Sequence, residues 1–224
     1  MSSEEAFVIT IDGPAASGKS SVSRELAKRL GFSWVSTGAF YRGLAFVAIQ
    51  KNIDLDDVDS LVHLCEGKDW QIKMTLEKTL VLFQDKDVTD MINHEDVGSF
   101  ASRISHHQRV RSALMQKQRD CSINQSGLVA EGRDCGTVIF PAAPVKVYLT
   151  ASSEFRAQRR ALEQGSDLQE VQSAQKIRDM QDSSRKAAPL QIPENAMVID
   201  TSHLDLVQVV DQVEEYARKM LKTF

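Results

Sequence analysis

Apolar residues first gather at Phe7 to Ile11, a β-branched run that stops at Asp12-Gly13-Pro14. That is the pattern of a buried strand running into a tight turn. From Gly18 to Leu30 the apolar positions Val22, Leu26, Ala27 and Leu30 recur at helical spacing, and Gly31 can end the helix. A second short strand is expected over Phe32–Val35 and a helix from about Gly38 to Lys51. Strand, helix, strand, helix in this order predicts a parallel sheet with helices on its faces. The rhythm then changes. Gln71 to Leu76 alternates polar and apolar side chains, Glu77-Lys78 can turn, and Thr79 to Phe83 reads as a returning strand. Such alternation predicts a half-solvated antiparallel hairpin. Further helices are expected over 109–120, 155–164, 168–184 and 204–221, and strands over 127–130, 145–149 and 197–199. The expected division is a core of about 6–65 and 101–224 around an inserted lobe of about 66–100.

Length and composition fit this picture. The chain has 224 residues, enough for one α/β domain with a small insertion, and its 42% hydrophobic and 26% charged content is that of a globular protein. A net charge of −4 argues against coating DNA or RNA, so no nucleic-acid partner is expected. The opening Met-Ser-Ser-Glu-Glu is acidic, unlike a signal peptide, and no apolar run is long enough to span a bilayer. Cys65, Cys121 and Cys135 are odd in number and form no CxxC pair, as expected for reduced thiols in the cytoplasm.

The turn after the first strand carries the strongest chemical signal. Gly13-Pro14-Ala15-Ala16-Ser17-Gly18-Lys19-Ser20 fits G-x-x-x-x-G-K-[ST], with a strand before it and an amphipathic helix after it. Glycines let backbone N–H groups curl around phosphate oxygens, and the helix N-terminus adds positive potential. Lys19 can reach the outer phosphates of a nucleoside triphosphate, Ser20 can offer its hydroxyl to Mg²⁺, and Ser21 follows in the first helical turn. The fold expected is therefore a P-loop NTPase three-layer sandwich.

Basic residues elsewhere suggest a second anionic ligand. Arg178, Asp182 and Arg185 are spaced by four and three, which puts them on one helical face. Taken alone, the trio is equally an exposed ion-pair ladder. Arg156 and Arg160 share a face with Arg159 close by, and Glu163 is a ready partner for Arg159 or Arg160. The five histidines show no metal-ligand spacing, and no NKxD-type guanine signature occurs, which disfavours a GTPase switch.

Thr37-Gly38-Ala39-Phe40-Tyr41-Arg42, Gly132-Arg133-Asp134 and Arg178-Asp179-Met180-Gln181-Asp182-Ser183-Ser184-Arg185 together resemble the bacterial cytidylate kinases, over nearly the whole chain. The resemblance implies transfer of the γ-phosphate of ATP to CMP or dCMP, with Mg²⁺, by a monomer. It implies that the inserted lobe helps enclose CMP and that residues of about 153–170 form a mobile lid whose Arg156, Arg159 and Arg160 neutralise charge on ATP. Thr37, Tyr41, Arg42, Arg133, Arg178, Asp182 and Arg185 would hold the phosphate and sugar of CMP. Ser102, Arg111 and Asp134 would read the cytosine. A carboxylate accepts from the N4 amino group and an arginine donates to N3 and O2; uracil reverses the pattern at position 4 and N3. The catalytic set implied is Lys19, Arg133, Arg156, Arg160 and Arg178. No dedicated general base is required, because a phosphate monoester has a second pKa near about 6 and offers a dianionic oxygen at neutral pH. A kinase of the same architecture acting on UMP, AMP or an alcohol is the nearest alternative.

Overall fold

In the computed structural model, which describes residues 6–75, 77–185 and 188–222, five parallel strands form a central sheet. They are β1 (Phe7–Asp12), β2 (Ser33–Ser36), β6 (Gly127–Gly132), β7 (Val145–Thr150) and β8 (Met197–Asp200), in the order β2-β6-β1-β7-β8. The chain leaves β1 toward one side and later returns on the other. The carboxyl ends of β1, β6 and β7 therefore open onto the crevice where α/β sheets bind ligands.

Strand alternation divides the core into two layers. Phe7, Ile9 and Ile11 of β1 join Val129, Val147 and Leu149 on the face covered by Val22 and Leu26 of α1 (Lys19–Leu30) and by Val209 and Val213 of α9 (Leu206–Leu221). Val8, Leu128 and Ala130 face the other way. They pack with Leu44 of α2 (Gly38–Gln50), Leu61 of α3 (Val58–Glu66), Ile104 of α5 (Glu95–Ile104) and Leu114 of α6 (Gln108–Arg119). The period-two pattern of a buried strand thus supplies both helix layers.

The middle segment forms a separate antiparallel sheet of β3 (Trp70–Met74), β4 (Thr79–Phe83) and the two-residue β5 (Lys86–Asp87), followed by the short α4 (Thr89–Ile92). Leu76, placed at the end of the hairpin's first strand by its sequence pattern, lies outside the described residues, as does the acidic start of the chain. Trp70 and Val81 press against Gly43 of α2, where an added Cβ would come within 2.9 Å of Val81. The longer helices α3 and α5, like the one-turn α4, fall outside the elements that the sequence pattern predicts. Both become amphipathic helices only by burying residues such as Leu61 and Ile104 against neighbours distant in the chain. The strand expected over 127–130 runs on to Gly132, because β1 and β2 flank it and pair with its last residues. Beyond it, a single π-type turn (Cys135–Ile139) redirects the chain. Two helices from the second half, α7 (Ser153–Gln164) and α8 (Leu168–Ser184), pack against each other beside the carboxyl end of the sheet.

Candidate active site

The phosphate loop follows directly from β1. Gly13 has φ +150°, and a Cβ there would lie 2.1 Å from the Leu149 carbonyl oxygen, so only glycine lets the loop lie against β7. Gly18, at φ 89°, N-caps α1 in the left-handed conformation. Ser17 Oγ and Lys19 Nζ both donate to the Pro14 carbonyl, at 3.0 and 2.5 Å. Burial, reinforced by the Arg133 charge, pulls the Lys19 pKa down to about 7 against the opposing pull of Glu131, Asp12 and Asp182. Ser20 Oγ donates to Glu131 Oε1 at 3.0 Å. Behind it, Asp12 accepts from the backbone N–H groups of Cys135 (2.8 Å) and Gly136 (2.7 Å). Burial nonetheless lifts the Asp12 pKa to about 6.

The loop borders a cleft of about 490 Å³, a size suited to a nucleotide-sized ligand. Ala15, Ala16, Lys19 and Ser20 line one end, and Arg160 reaches it from α7. Every residue expected at the acceptor lines it as well: Thr37, Tyr41, Arg42, Ser102, Arg111, Arg133, Asp134, Arg178, Asp182 and Arg185. Among these, Thr37 Oγ1 donates to the Glu131 carbonyl at 2.9 Å. Arg42 Nη1 donates to the carbonyls of Ile92 (2.7 Å) and His94 (3.2 Å) rather than to a carboxylate. Burial, with Arg178 and Arg160 nearby, lowers the Arg42 pKa to about 10. Arg133 donates through Nε to Asp182 Oδ2 at 2.7 Å and through Nη1 to the Gly13 carbonyl at 2.9 Å.

Arg185 differs slightly from its expected placement. It sits one residue past the end of α8 with ψ 129°, so Arg178 and Asp182 share a helical face while Arg185 joins them from the chain beyond. Its Nη2 is 3.9 Å from Asp182 Oδ1, yet Nε and Nη2 are buried with no hydrogen-bond acceptor among the described residues. Buried guanidinium donors without acceptors are a site for an anion.

At the far end of the cleft, Arg111 Nη2 donates to Asp134 Oδ2, and Nη1 donates to the Ser105 carbonyl at 3.4 Å. The guanidinium carbon lies 5.5 Å from the centre of the Tyr41 ring. Both residues of the ion pair are over nine-tenths buried. Burial raises the Asp134 pKa despite the Arg111 charge, and it raises that of Tyr41 to about 12. Tyr41 packs against the core layer and also lines the cleft.

The arginines of α7 split three ways. Arg156 donates to both Asp179 carboxylate oxygens, at 3.2 and 2.7 Å, and to the Ala15 carbonyl at 3.3 Å, which ties α7 and α8 to the phosphate loop. Arg159 turns to the hydroxyl and carbonyl of Thr201, whose own hydroxyl donates to the Ser17 carbonyl at 3.2 Å. Arg160 donates to Glu95 at 2.7 Å, and its contact with Glu163 is longer, 3.9 Å. Arg178 also reaches Glu95, at 3.0 Å. Neither Arg156 nor Arg159 lines the cleft, and within the loop Gly13, Pro14, Ser17, Gly18 and Ser21 stand behind its surface.

Four acidic residues went unnoticed in the sequence: Asp12, Glu131, Asp179 and Glu95. Asp12 carries a signal, since it ends an apolar strand immediately before a glycine of a motif, whereas Glu131 lies beyond the apolar run 127–130, one residue before the end of β6. Asp179 lay inside a motif already singled out. Glu95 had none.

The cytidylate kinase family model matches residues 9–219. The chain belongs to that family. A cytidylate kinase of Bdellovibrio bacteriovorus is 63% identical over 215 residues, which cover 96% of this chain and 99% of that protein. A cytidylate kinase of Geobacillus sp. is 39% identical over 218 residues, covering 95% and 97%. Among solved structures, a gluconokinase from Sinorhizobium meliloti superposes with a TM-score of 0.52 at 14% identity, covering 97% of this chain and 96% of that one. That likeness shows the fold alone. Family membership makes the chain a phosphotransferase that uses ATP, and the architecture expected from the sequence, a parallel sheet between helices with a small antiparallel sheet, is the one observed. No helix among the described residues is long and apolar enough to cross a membrane.

Proposed function

We propose that the chain transfers the γ-phosphate of ATP to CMP or dCMP, giving ADP and CDP or dCDP. The observation that carries this reading is the buried Arg111–Asp134 pair, which faces the same cleft as Lys19. Asp134 presents an acceptor and Arg111 donors to a base beside them, and Lys19 marks the phosphate end. Arg42, Arg133, Arg178 and Arg185 surround the stretch between them, where the acceptor phosphate would lie.

Catalysis is positioning plus charge neutralisation. Lys19 and the loop backbone N–H groups hold the donor phosphates. Arg42, Arg133 and Arg185 grip the acceptor phosphate, Arg178 and Asp182 hold sugar or phosphate oxygens, and Arg160 closes over the transferring group. Arg156 and Arg159 support the donor site, the former by holding the loop carbonyl of Ala15. Mg²⁺ fits the donor set at the loop's end: the Ser20 hydroxyl and the Glu131 carboxylate are hard oxygen ligands side by side. These two residues would hold it, and when bound it neutralises charge on the donor phosphates.

In this reading the segment of about 66–100 encloses the acceptor, and about 153–170 is the lid that keeps water from the site. In the same reading the chain acts as a monomer. The free thiols Cys65, Cys121 and Cys135 support a reducing, cytoplasmic setting. Release of ADP from ATP and Mg²⁺, with CMP, dCMP, UMP, AMP and GMP offered separately, tests the proposal. Strong turnover with CMP and dCMP and weak turnover with UMP is the expected result. Equal rates on UMP would remove the Arg111/Asp134 account, and no acceptor-dependent turnover would remove the kinase reading.

A further inference from the structure

We propose that Gln181 sets the base preference of the acceptor site by fixing the direction of the Ser102 hydroxyl. The inference rests on the reading above, in which the part of the cleft lined by Arg111 and Asp134 holds the base. Ser102 lies on α5 and lines the cleft; Gln181 lies on α8 and does not line it. Ser102 Oγ donates to Gln181 Oε1 at 2.8 Å. A hydroxyl has one proton and two lone pairs. With the proton committed to Gln181, Ser102 has only lone pairs to offer the cleft.

The backbone that carries Ser102 is also held in place. Ser105 Oγ donates to the Ser102 carbonyl at 2.7 Å and in turn accepts from Arg185 Nη1 at 3.4 Å, while the Ser105 carbonyl accepts from Arg111 Nη1 at 3.4 Å. The end of α5 is thereby tied to two arginines of the site. Ser102 then adds a second acceptor to the one on Asp134. An amino group on the base satisfies an acceptor, whereas a carbonyl at the same position sets lone pair against lone pair. Gln181 acts through Ser102 and is a positioning residue: it denies Ser102 the rotation that would let it donate to uracil O4.

The test compares kcat/KM for CMP and UMP in the full chain with Gln181→Met, Gln181→Glu, Ser102→Ala and the Gln181→Met/Ser102→Ala double variant. Methionine keeps the volume but frees the hydroxyl to rotate, so the CMP:UMP ratio should fall about tenfold, roughly one hydrogen bond's worth. The change should sit in KM for UMP rather than in kcat for CMP. Glutamate can only accept, so it should preserve the ratio. In the Ser102→Ala background the methionine change should have no further effect on the ratio. If Gln181→Met slows both substrates equally while Ser102→Ala alone shifts the ratio, Gln181 merely braces α8 against α5; the inference falls and the base reading stands. If Ser102→Ala leaves the ratio untouched as well, the base reading of Ser102 fails and takes this inference with it.

Discussion

Arg133 and Asp182, 49 residues apart, meet at 2.7 Å, and the same guanidinium holds the Gly13 carbonyl at 2.9 Å. One side chain thus joins the first residue of the phosphate loop to α8, whose Arg178 and Asp182 line the cleft. Burial works against the Asp182 carboxylate, but Arg133 and Arg185 outweigh it and hold its pKa below the usual range. A guanidinium makes both contacts with donors that diverge in one rigid plane, a geometry that the point charge of an ammonium does not reproduce.

Arg133→Lys keeps the charge and loses the fork. Its kcat/KM for CMP is expected to fall about 100-fold, in line with the loss of a preorganised donor at a site of developing charge. The melting temperature should move only slightly, since Asp182 retains a cation. Steady-state rates and thermal melts of the same samples separate the two effects. A melting temperature that collapses with the rate would show that Arg133 is structural.

Lys19, with its pKa lowered by burial to about 7, must be protonated to hold phosphate. Bound phosphate favours the charged form, so the affinity for MgATP should decline as pH rises through about 7. The expected loss is roughly tenfold between about pH 6 and 8. Lys19→Met should bind weakly and show no such decline. Calorimetric titration of MgATP across this range gives the answer; an affinity independent of pH in the parent chain would contradict the depressed pKa.

Asp12 makes a stability prediction of opposite sign to the usual carboxylate. Its folded-state pKa is raised by burial to about 6, above the unfolded value of 3.8. Between those values the folded chain holds a proton that the unfolded chain has released, so stability falls as pH climbs through that window. The Asp12 share of that fall is on the order of 3 kcal/mol. Asp12→Asn should have a flatter profile than the parent in urea unfolding between about pH 4 and 6. Parallel profiles would mean that Asp12 ionises normally.

Gly98 keeps space for two guanidinium groups. A Cβ there would lie 2.7 Å from Arg42 Nη2 and 2.8 Å from Arg178 Nη2, and the glycine has no left-handed φ to protect. Gly98→Ala should therefore fold normally, helped slightly by the better helix propensity of alanine. It should raise KM for CMP about tenfold by displacing both cations, with MgATP affinity unchanged. An unaltered KM for CMP would place the acceptor phosphate away from these two arginines.

Legibility in the sequence followed locality. β1, the loop Gly13–Ser20 and α1 could be read almost to the residue, because a strand, a glycine turn and an amphipathic helix each carry their own pattern. The hairpin of β3 and β4 was readable for the same reason. Helix α5 was not. Its Ser99, Ser102 and Gly98 are poor helix formers, and the helix is held by packing against α2 through residues such as Val97 and Ala101. Glu131 was hidden because β6 reaches it only through pairing with Ile11 and Ser36 on its two flanks.

By itself the sequence determined the phosphate loop, the parallel α/β plan and, through its motif set, the family. These depend on backbone preferences and on spacing along a few turns of chain. Only the tertiary structure decided which way each arginine points. Arg156 and Arg159 turn away from the cleft to Asp179 and Thr201, while Arg160 and Arg178 share Glu95. Likewise, Ser20 meets Glu131 across 111 residues and Ser102 meets Gln181 across 79. A hydrogen bond or ion pair forms only within about 3–4 Å, and no sequence spacing specifies which distant side chains packing will bring that close.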